Sequence, residues 1–268
     1  MNIKLLWKFV VILLISSVAV IACTGPEGPQ GPAGPAGPAG PEGPEASNES
    51  ATQPSFEVWA VDQSSTTSYG GGGLIYIWDG ADISANASEA TPEIIDLAKK
   101  AEEAGCETPK KPHMILSNHT SPKSTHVILA NVGSGDTFFI NIDTRTIDGC
   151  VNTIGGFNGA GGTANAHASV SSVDNSMTIV ANIGAKDESG FLHKIQTDYT
   201  SNDYNLVETL ALDQFANDLG TSVVRPICHD FTADSKFAYV TLAGGGLLVV
   251  DVGSADGTTP MNVVKVYE

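Results

Sequence analysis

His113, His167 and His229 each stand at the start of an apolar run, HMILSN, HASVSS and HDFTAD. The three are separated by 54 and 62 residues and read as equivalent positions of a repeat. Neutral imidazoles repeated in this way are ligands for copper or another divalent metal when a fold brings them together. Taken one at a time, each would only donate a hydrogen bond at a strand start. Cys228 precedes His229. Neighbours along a strand face opposite ways, so the two do not form a nucleophile and its base. No G-x-S-x-G, H-E-x-x-H or C-x-x-C occurs. The Gly-rich stretches Gly70–Gly73 and Gly155–Gly162 lack the G-K-[ST] that a phosphate cradle needs.

The elements around these histidines repeat. Four apolar runs end in Asp: LIYIWD at Asp79, FFINID at Asp143, HKIQTD at Asp198 and LLVVD at Asp251, with spacings of 64, 55 and 53 residues. An Asp followed by turn residues accepts backbone N–H bonds and ends a strand. Each run is preceded by another: EVWAV from Glu57, HVILAN from His126, TIVAN from Thr178 and FAYVTL from Phe237. These runs are β-branched or aromatic and nearly continuous in apolarity, as strands buried on both faces are. Gly-rich links join the members of each pair as hairpins. The histidine-led runs open three of the units. EIIDLA from Glu93, VNTIG from Val151, LVETLAL from Leu206 and NVVKVY from Asn262 close all four. Lys99–Ala104 reads as a short helix after the strand Glu93–Ala98.

Four strands recurring every 50–60 residues predict an all-β chain, a β-propeller of four-stranded antiparallel blades. About four blades are expected, near 55–105, 106–162, 163–222 and 223–268, and the first lacks its opening strand. The units V-I-L-A-N…F-I-N-I-D, I-V-A-N-I-G…K-I-Q-T-D and F-A-Y-V-T-L-A-G-G-G-L-L-V-V-D resemble the YVTN-type repeats of secreted YncE-like propellers from Phe56 to Glu268. Such propellers usually close with seven blades, so the resemblance implies an open arc truncated from a longer ring. It implies three imidazoles facing a central channel, since a blade's first strand lines it. Propeller oxidoreductases with histidine-bound copper and propeller lactonases set the enzymatic expectation.

The first 54 residues carry an address. Lys4 and Lys8 precede the apolar run Phe9–Ile15, which reads as a signal peptide over 1–22. Val20-Ile21-Ala22-Cys23 resembles the lipobox of bacterial lipoproteins, which implies that Cys23 is lipidated and becomes the mature N-terminus. Seven G-P-x triplets run from Gly25 to Glu45. Gly and Pro meet the needs of a collagen helix, but no imino acid fills the third position. The segment 23–45 therefore reads as a spacer of roughly 65 Å at 3.1 Å per residue, with a trimer through these triplets as the alternative. A polar linker, 46–54, leads into the propeller domain, 55–268. The expected location is the cell envelope, lipid-anchored on the extracytoplasmic side, at the outer membrane or cell surface.

Thirteen basic residues stand against 30 acidic ones in the 268-residue chain, a net charge of −17. That balance argues against nucleic acid, whose phosphates attract basic patches. With Cys23 lipidated, three cysteines remain for an oxidising compartment. Cys106 and Cys150 flank one segment and are the expected disulfide, while Cys228 lies inside an apolar strand. Two functions follow: a membrane-anchored binding or scaffolding module for an unnamed protein or small molecule, or a propeller enzyme, copper oxidoreductase or lactonase-like hydrolase, with its site in the channel.

Overall fold

A computed structural model describes residues 56–64 and 71–268. The signal peptide 1–22, Cys23, the triplets Gly25–Glu45 and the linker 46–54 lie outside the described residues, as does Gly70. Every described residue belongs to the compact unit Thr52–Glu268.

Among the described residues fifteen strands form four antiparallel sheets in chain order. The first sheet has three strands, β1 (Glu57–Asp62), β2 (Leu74–Asp79) and β3 (Glu93–Asp96). The second is β4 (Pro112–Ser117), β5 (His126–Asn131), β6 (Asp136–Asn141) and β7 (Ile147–Asn152). The third is β8 (Ala166–Ser171), β9 (Met177–Asn182), β10 (Phe191–Asp198) and β11 (Asp203–Ala211). The fourth is β12 (Pro226–Phe231), β13 (Phe237–Leu242), β14 (Leu247–Asp251) and β15 (Asn262–Tyr267). Each sheet packs against the next, and they do not close into a ring. This is a β-propeller arc of four blades.

Turn chemistry sets the hairpins. Between β8 and β9, Asp174 Oδ1 accepts from Ser176 N at 3.1 Å and Asn175 takes φ 61°. Between β12 and β13, Asp234 Oδ1 accepts from Lys236 N at 3.2 Å and Ser235 takes φ 59°. A short carboxylate bonding two residues ahead in this way is an Asx-turn, and it fixes the register of both strands.

β2 ends at Asp79 as the sequence predicts, but a helix follows it in place of a turn, and β6, β7 (Ile147–Asn152 rather than Val151–Gly155) and β3 end elsewhere than expected. Asp79 caps a helix, α1 (Gly80–Asn86), by accepting from Ala81 N at 2.7 Å. The third strand of blade two stops at Asn141, whose Oδ1 accepts from Asp143 N and Thr144 N, and Asp143 instead meets Lys123 at 2.7 Å. β3 stops at Asp96 because its carboxylate caps α2 (Leu97–Ala104), accepting from Ala98 N and Lys99 N. A side chain that satisfies orphan N–H groups of a helix start outweighs two more residues of strand. Gly105, at φ 71°, ends α2 in the left-handed conformation glycine tolerates.

The core lies between blades, in three clusters. Ile75, Ile77, Val127, Leu129 and Phe138 join blades one and two. Ile128, Phe139, Val180 and Ile195 join two and three. Ile179, Leu192, Val240 and Leu248 join three and four. Each central strand therefore feeds both neighbours, which is why these runs are apolar at every position. Phe138 and Phe139 are fully buried on opposite faces of β6, and truncating either to Ala would cost about 3–5 kcal/mol. Cys106, just past α2, is bonded to Cys150 in β7, Cα atoms 6.2 Å apart, tying blade one to blade two.

Candidate functional site

β4, β8 and β12 are the first strands of their blades, and each carries a one-residue bulge against its neighbour. Pro112 pairs with Asn131 and Met114 with Ala130, leaving His113 at the bulge. Ala166 pairs with Asn182 and Ala168 with Ala181, leaving His167 there. In blade four, Pro226 pairs with Leu242 and Cys228 with Thr241, so the bulged residue is Ile227. A bulge re-aims the extra side chain, and here it turns two imidazoles toward each other.

His113 Nε2 lies 3.2 Å from His167 Nε2, with the rings edge to face and centroids 4.3 Å apart. His167 Nδ1 lies 2.8 Å from the carbonyl oxygen of Ile227. A carbonyl only accepts, so His167 carries its proton on Nδ1 and offers a lone pair at Nε2. His113 must then donate from Nε2, which leaves its Nδ1 to accept from the Gln63 amide beside it. One chain of bonds runs from Gln63 through His113 and His167 to Ile227, linking all four blades. Burial first, and then the neighbouring His113, hold His167 below the ordinary imidazole pKa. All four ring nitrogens of the pair are engaged.

His229 does not join them. It pairs with Val240, as Ile115 pairs with Leu129 and Ser169 with Val180, so it matches Ile115 and Ser169 rather than the other two histidines. Its side chain is 4% exposed, and burial pushes its pKa down to about 4. Among the described residues neither ring nitrogen has a hydrogen-bond partner. The expectation of three equivalent histidines is corrected on this point: His229 sits two residues beyond the bulge, where the side chain turns into the blade interface. Among the described residues no three His, Cys, Asp or Glu side chains gather closely enough to hold a metal. Two imidazoles, each with both nitrogens spent, do not fit a three-histidine copper or zinc centre.

The remaining reactive groups are held in place by packing. Cys228 is half-buried with Sγ 4.0 Å from Met114 Sδ, and burial raises its thiol pKa, so it stays protonated at neutral pH. Thr125, His126 and Asp148 line up as hydroxyl, imidazole and carboxylate, at 3.0 and 3.2 Å. The Thr125 hydroxyl also accepts from Asn118 Nδ2 at 3.0 Å, and His126 is buried, so this row ties a loop to blade two. No spacing in the sequence pairs His126 with Asp148. His193 is fully buried beside Thr209, Nδ1 to Oγ1 2.9 Å. His119 is exposed.

Between blades two, three and four the arc is hollow. An open concavity of about 590 Å³ has Met114, Leu116, Val170, Cys228, Tyr239 and Leu247 on its walls, with His119, His229 and Asp230 as its charged or titratable residues. Walls from three blades and mostly apolar lining are the features of a binding surface.

No family model matches the chain, and no curated protein matches it by sequence. Solved structures resemble it in fold. A protein of Bacteroides fragilis NCTC 9343, provisionally named a 6-phosphogluconolactonase, superposes with a TM-score of 0.52 at 12% identity, over 75% of this chain and 50% of its own. One of the same provisional name from Bacteroides uniformis ATCC 8492 gives 0.52 at 13% identity, over 78% and 53%. The chain spans about half the length of the structures it matches. At such identities the likeness establishes the propeller fold alone.

Proposed function

We propose that this chain is an envelope-displayed binding module of the YncE-like, YVTN-repeat type. Lipidated Cys23 holds it at the extracytoplasmic face, the G-P-x spacer sets it away from the membrane, and the propeller arc offers surfaces to a protein or small-molecule partner. The observation that carries this reading is the hydrogen-bond accounting at His113 and His167. Their nitrogens are committed to Gln63, to each other and to Ile227, while the concavity between blades two, three and four is walled mostly by apolar side chains. Such a surface recognises an apolar group.

Two readouts test it. Replacing Cys23 by Ser should move the chain from the membrane fraction to the soluble fraction and remove incorporated palmitate. The full chain should bind the apolar probe anilinonaphthalene sulfonate saturably, and Leu116→Asp should remove that site. A chain that stays with the membrane without Cys23, or a probe signal indifferent to Leu116, would contradict the reading.

A further inference from the structure

The basic side chains divide into two groups. Lys99, Lys100, Lys123, Arg145, Lys194 and Lys236 each pair with a carboxylate, and Lys265 lies over the Tyr267 ring. Among the described residues Lys110, Lys111, Lys186 and Arg225 have no carboxylate partner. These four stand at one end of the arc, where the first strands of the blades begin. Lys110 and Lys111 lead into β4 and Arg225 into β12, while Lys186 lies in the loop after β9, whose end Asn182 pairs with the start of β8. With 30 acidic residues against 13 basic ones, cations left unpaired at one end make a local field that draws anions.

Three positions at this end are equivalent. The carbonyl of Lys111 accepts from Val132 N at 3.0 Å, that of Asn165 from Ile183 N at 3.0 Å, and that of Arg225 from Ala243 N at 2.8 Å. Each lies two residues before a bulge, at His113, His167 and Ile227. β8 lies between β4 and β12, so a cation, an amide and a cation follow one another along the inner edge of the arc. Arg225 Nε donates to Ile183 O at 3.4 Å, and the guanidinium makes no other hydrogen bond among the described residues. It stands near His167: burial, His113 and then Arg225 hold that imidazole below its ordinary pKa. Asn165 Nδ2 gives one hydrogen to Thr163 Oγ1 at 3.1 Å and has a second to give. None of these residues lines the apolar concavity.

We infer that this row binds a small dicarboxylate. The Arg225 guanidinium takes one carboxylate as a planar fork, the Lys111 ammonium takes the other, and the Asn165 amide donates between them. Two cations one blade apart suit two separated charges better than one compact dianion. Glu107, Asp187 and Glu188 lie in loops at the same end and weigh against anions of higher charge. The inference does not rest on the apolar concavity.

Isothermal titration of the full chain in detergent with succinate, at fixed ionic strength, reads the site. One succinate should bind per chain, and acetate should bind more weakly. Arg225→Gln should weaken succinate binding by at least about tenfold, through loss of charge-assisted hydrogen bonds. Lys111→Gln, at an exposed position, should remove the preference for succinate over acetate, and it carries the test alone if Arg225→Gln loses its native circular dichroism. Lys236→Gln, in the turn between β12 and β13 at the opposite end, should bind like the unmodified chain. Absence of saturable succinate binding would overturn the inference. So would unaltered binding in folded Arg225→Gln or in Lys111→Gln, or equal weakening in Lys236→Gln. Inorganic phosphate bound more tightly than succinate would also overturn it and assign the row to a phosphorylated ligand. Probe binding at Leu116 is measured separately, so failure here leaves the binding-module reading intact.

Discussion

Lys194 Nζ lies 2.6 Å from Glu208 Oε2 across the β10–β11 ladder, and the lysine side chain has no exposed surface. The ammonium also donates to Ser254 O at 2.9 Å, and Glu208 Oε1 accepts from Met261 N at 2.6 Å. The ion pair therefore pins blade three to the loop before β15. Glu208→Ala leaves a buried ammonium without its counter-charge and should cost about 3–5 kcal/mol in urea unfolding. Lys194→Met with Glu208→Leu should cost less than the single change. Equal loss in both would show that the cost does not come from an unpaired buried charge.

Acid should weaken the fold before its carboxylates titrate. Burial lowers His193 and His229 to about 4, against about 6.5 for a free imidazole. The unfolded chain thus binds more protons between those values. The stability these groups contribute is complete above about pH 6.5 and is lost as pH falls toward 4. Each contributes at most about 3 kcal/mol. The urea midpoint should drop between pH 7 and pH 4.5, and His229→Leu should reduce that dependence by about one proton. An unchanged slope would place His229 in solvent.

Tyr204 stacks on Phe139 with centroids 4.0 Å apart, and it can do so only because Gly149 has no side chain. A Cβ at Gly149 would overlap Cδ2 and Cε2 at the edge of the Tyr204 ring. Gly149→Ala should destabilise the chain by about 1–3 kcal/mol through overpacking. Gly149→Ala combined with Tyr204→Leu should recover part of it, and absence of recovery would assign the loss to the backbone.

The bond between Cys106 and Cys150 closes 44 residues. In the chain-entropy view a loop of that size stabilises the fold by about 4 kcal/mol. Reduction under native conditions should lower the thermal midpoint and loosen blade one first, read by hydrogen exchange at Ile75 and Ile77. Uniform loss of protection across all blades would contradict that order.

Most of the architecture was legible because each central strand is apolar on both faces. HVILAN and FAYVTL coincide with β5 and β13 to the residue. The strand ends were less legible, because Asp79 and Asp96 sit where a turn and a helix start need the same side chain. The histidine site misled for a different reason. A bulge is fixed by pairing with the next strand, which no run of residue types reveals. Aligning the chain on Pro112 and Pro226 rather than on histidines would have set Ile227 opposite His113. Gln63 has no motif at all. It reaches His113 only because β1 of blade one runs beside β4 of blade two.

Whether His113 and His167 are hydrogen-bond fixtures or metal ligands is decided by copper titration of the full chain and of His167→Ala, with metal content measured after dialysis. Both proteins should retain the same amount, well below one copper per chain, with the concavity still binding its apolar probe. One copper held per unmodified chain and lost in His167→Ala would contradict the hydrogen-bonded pair and return the channel to redox chemistry.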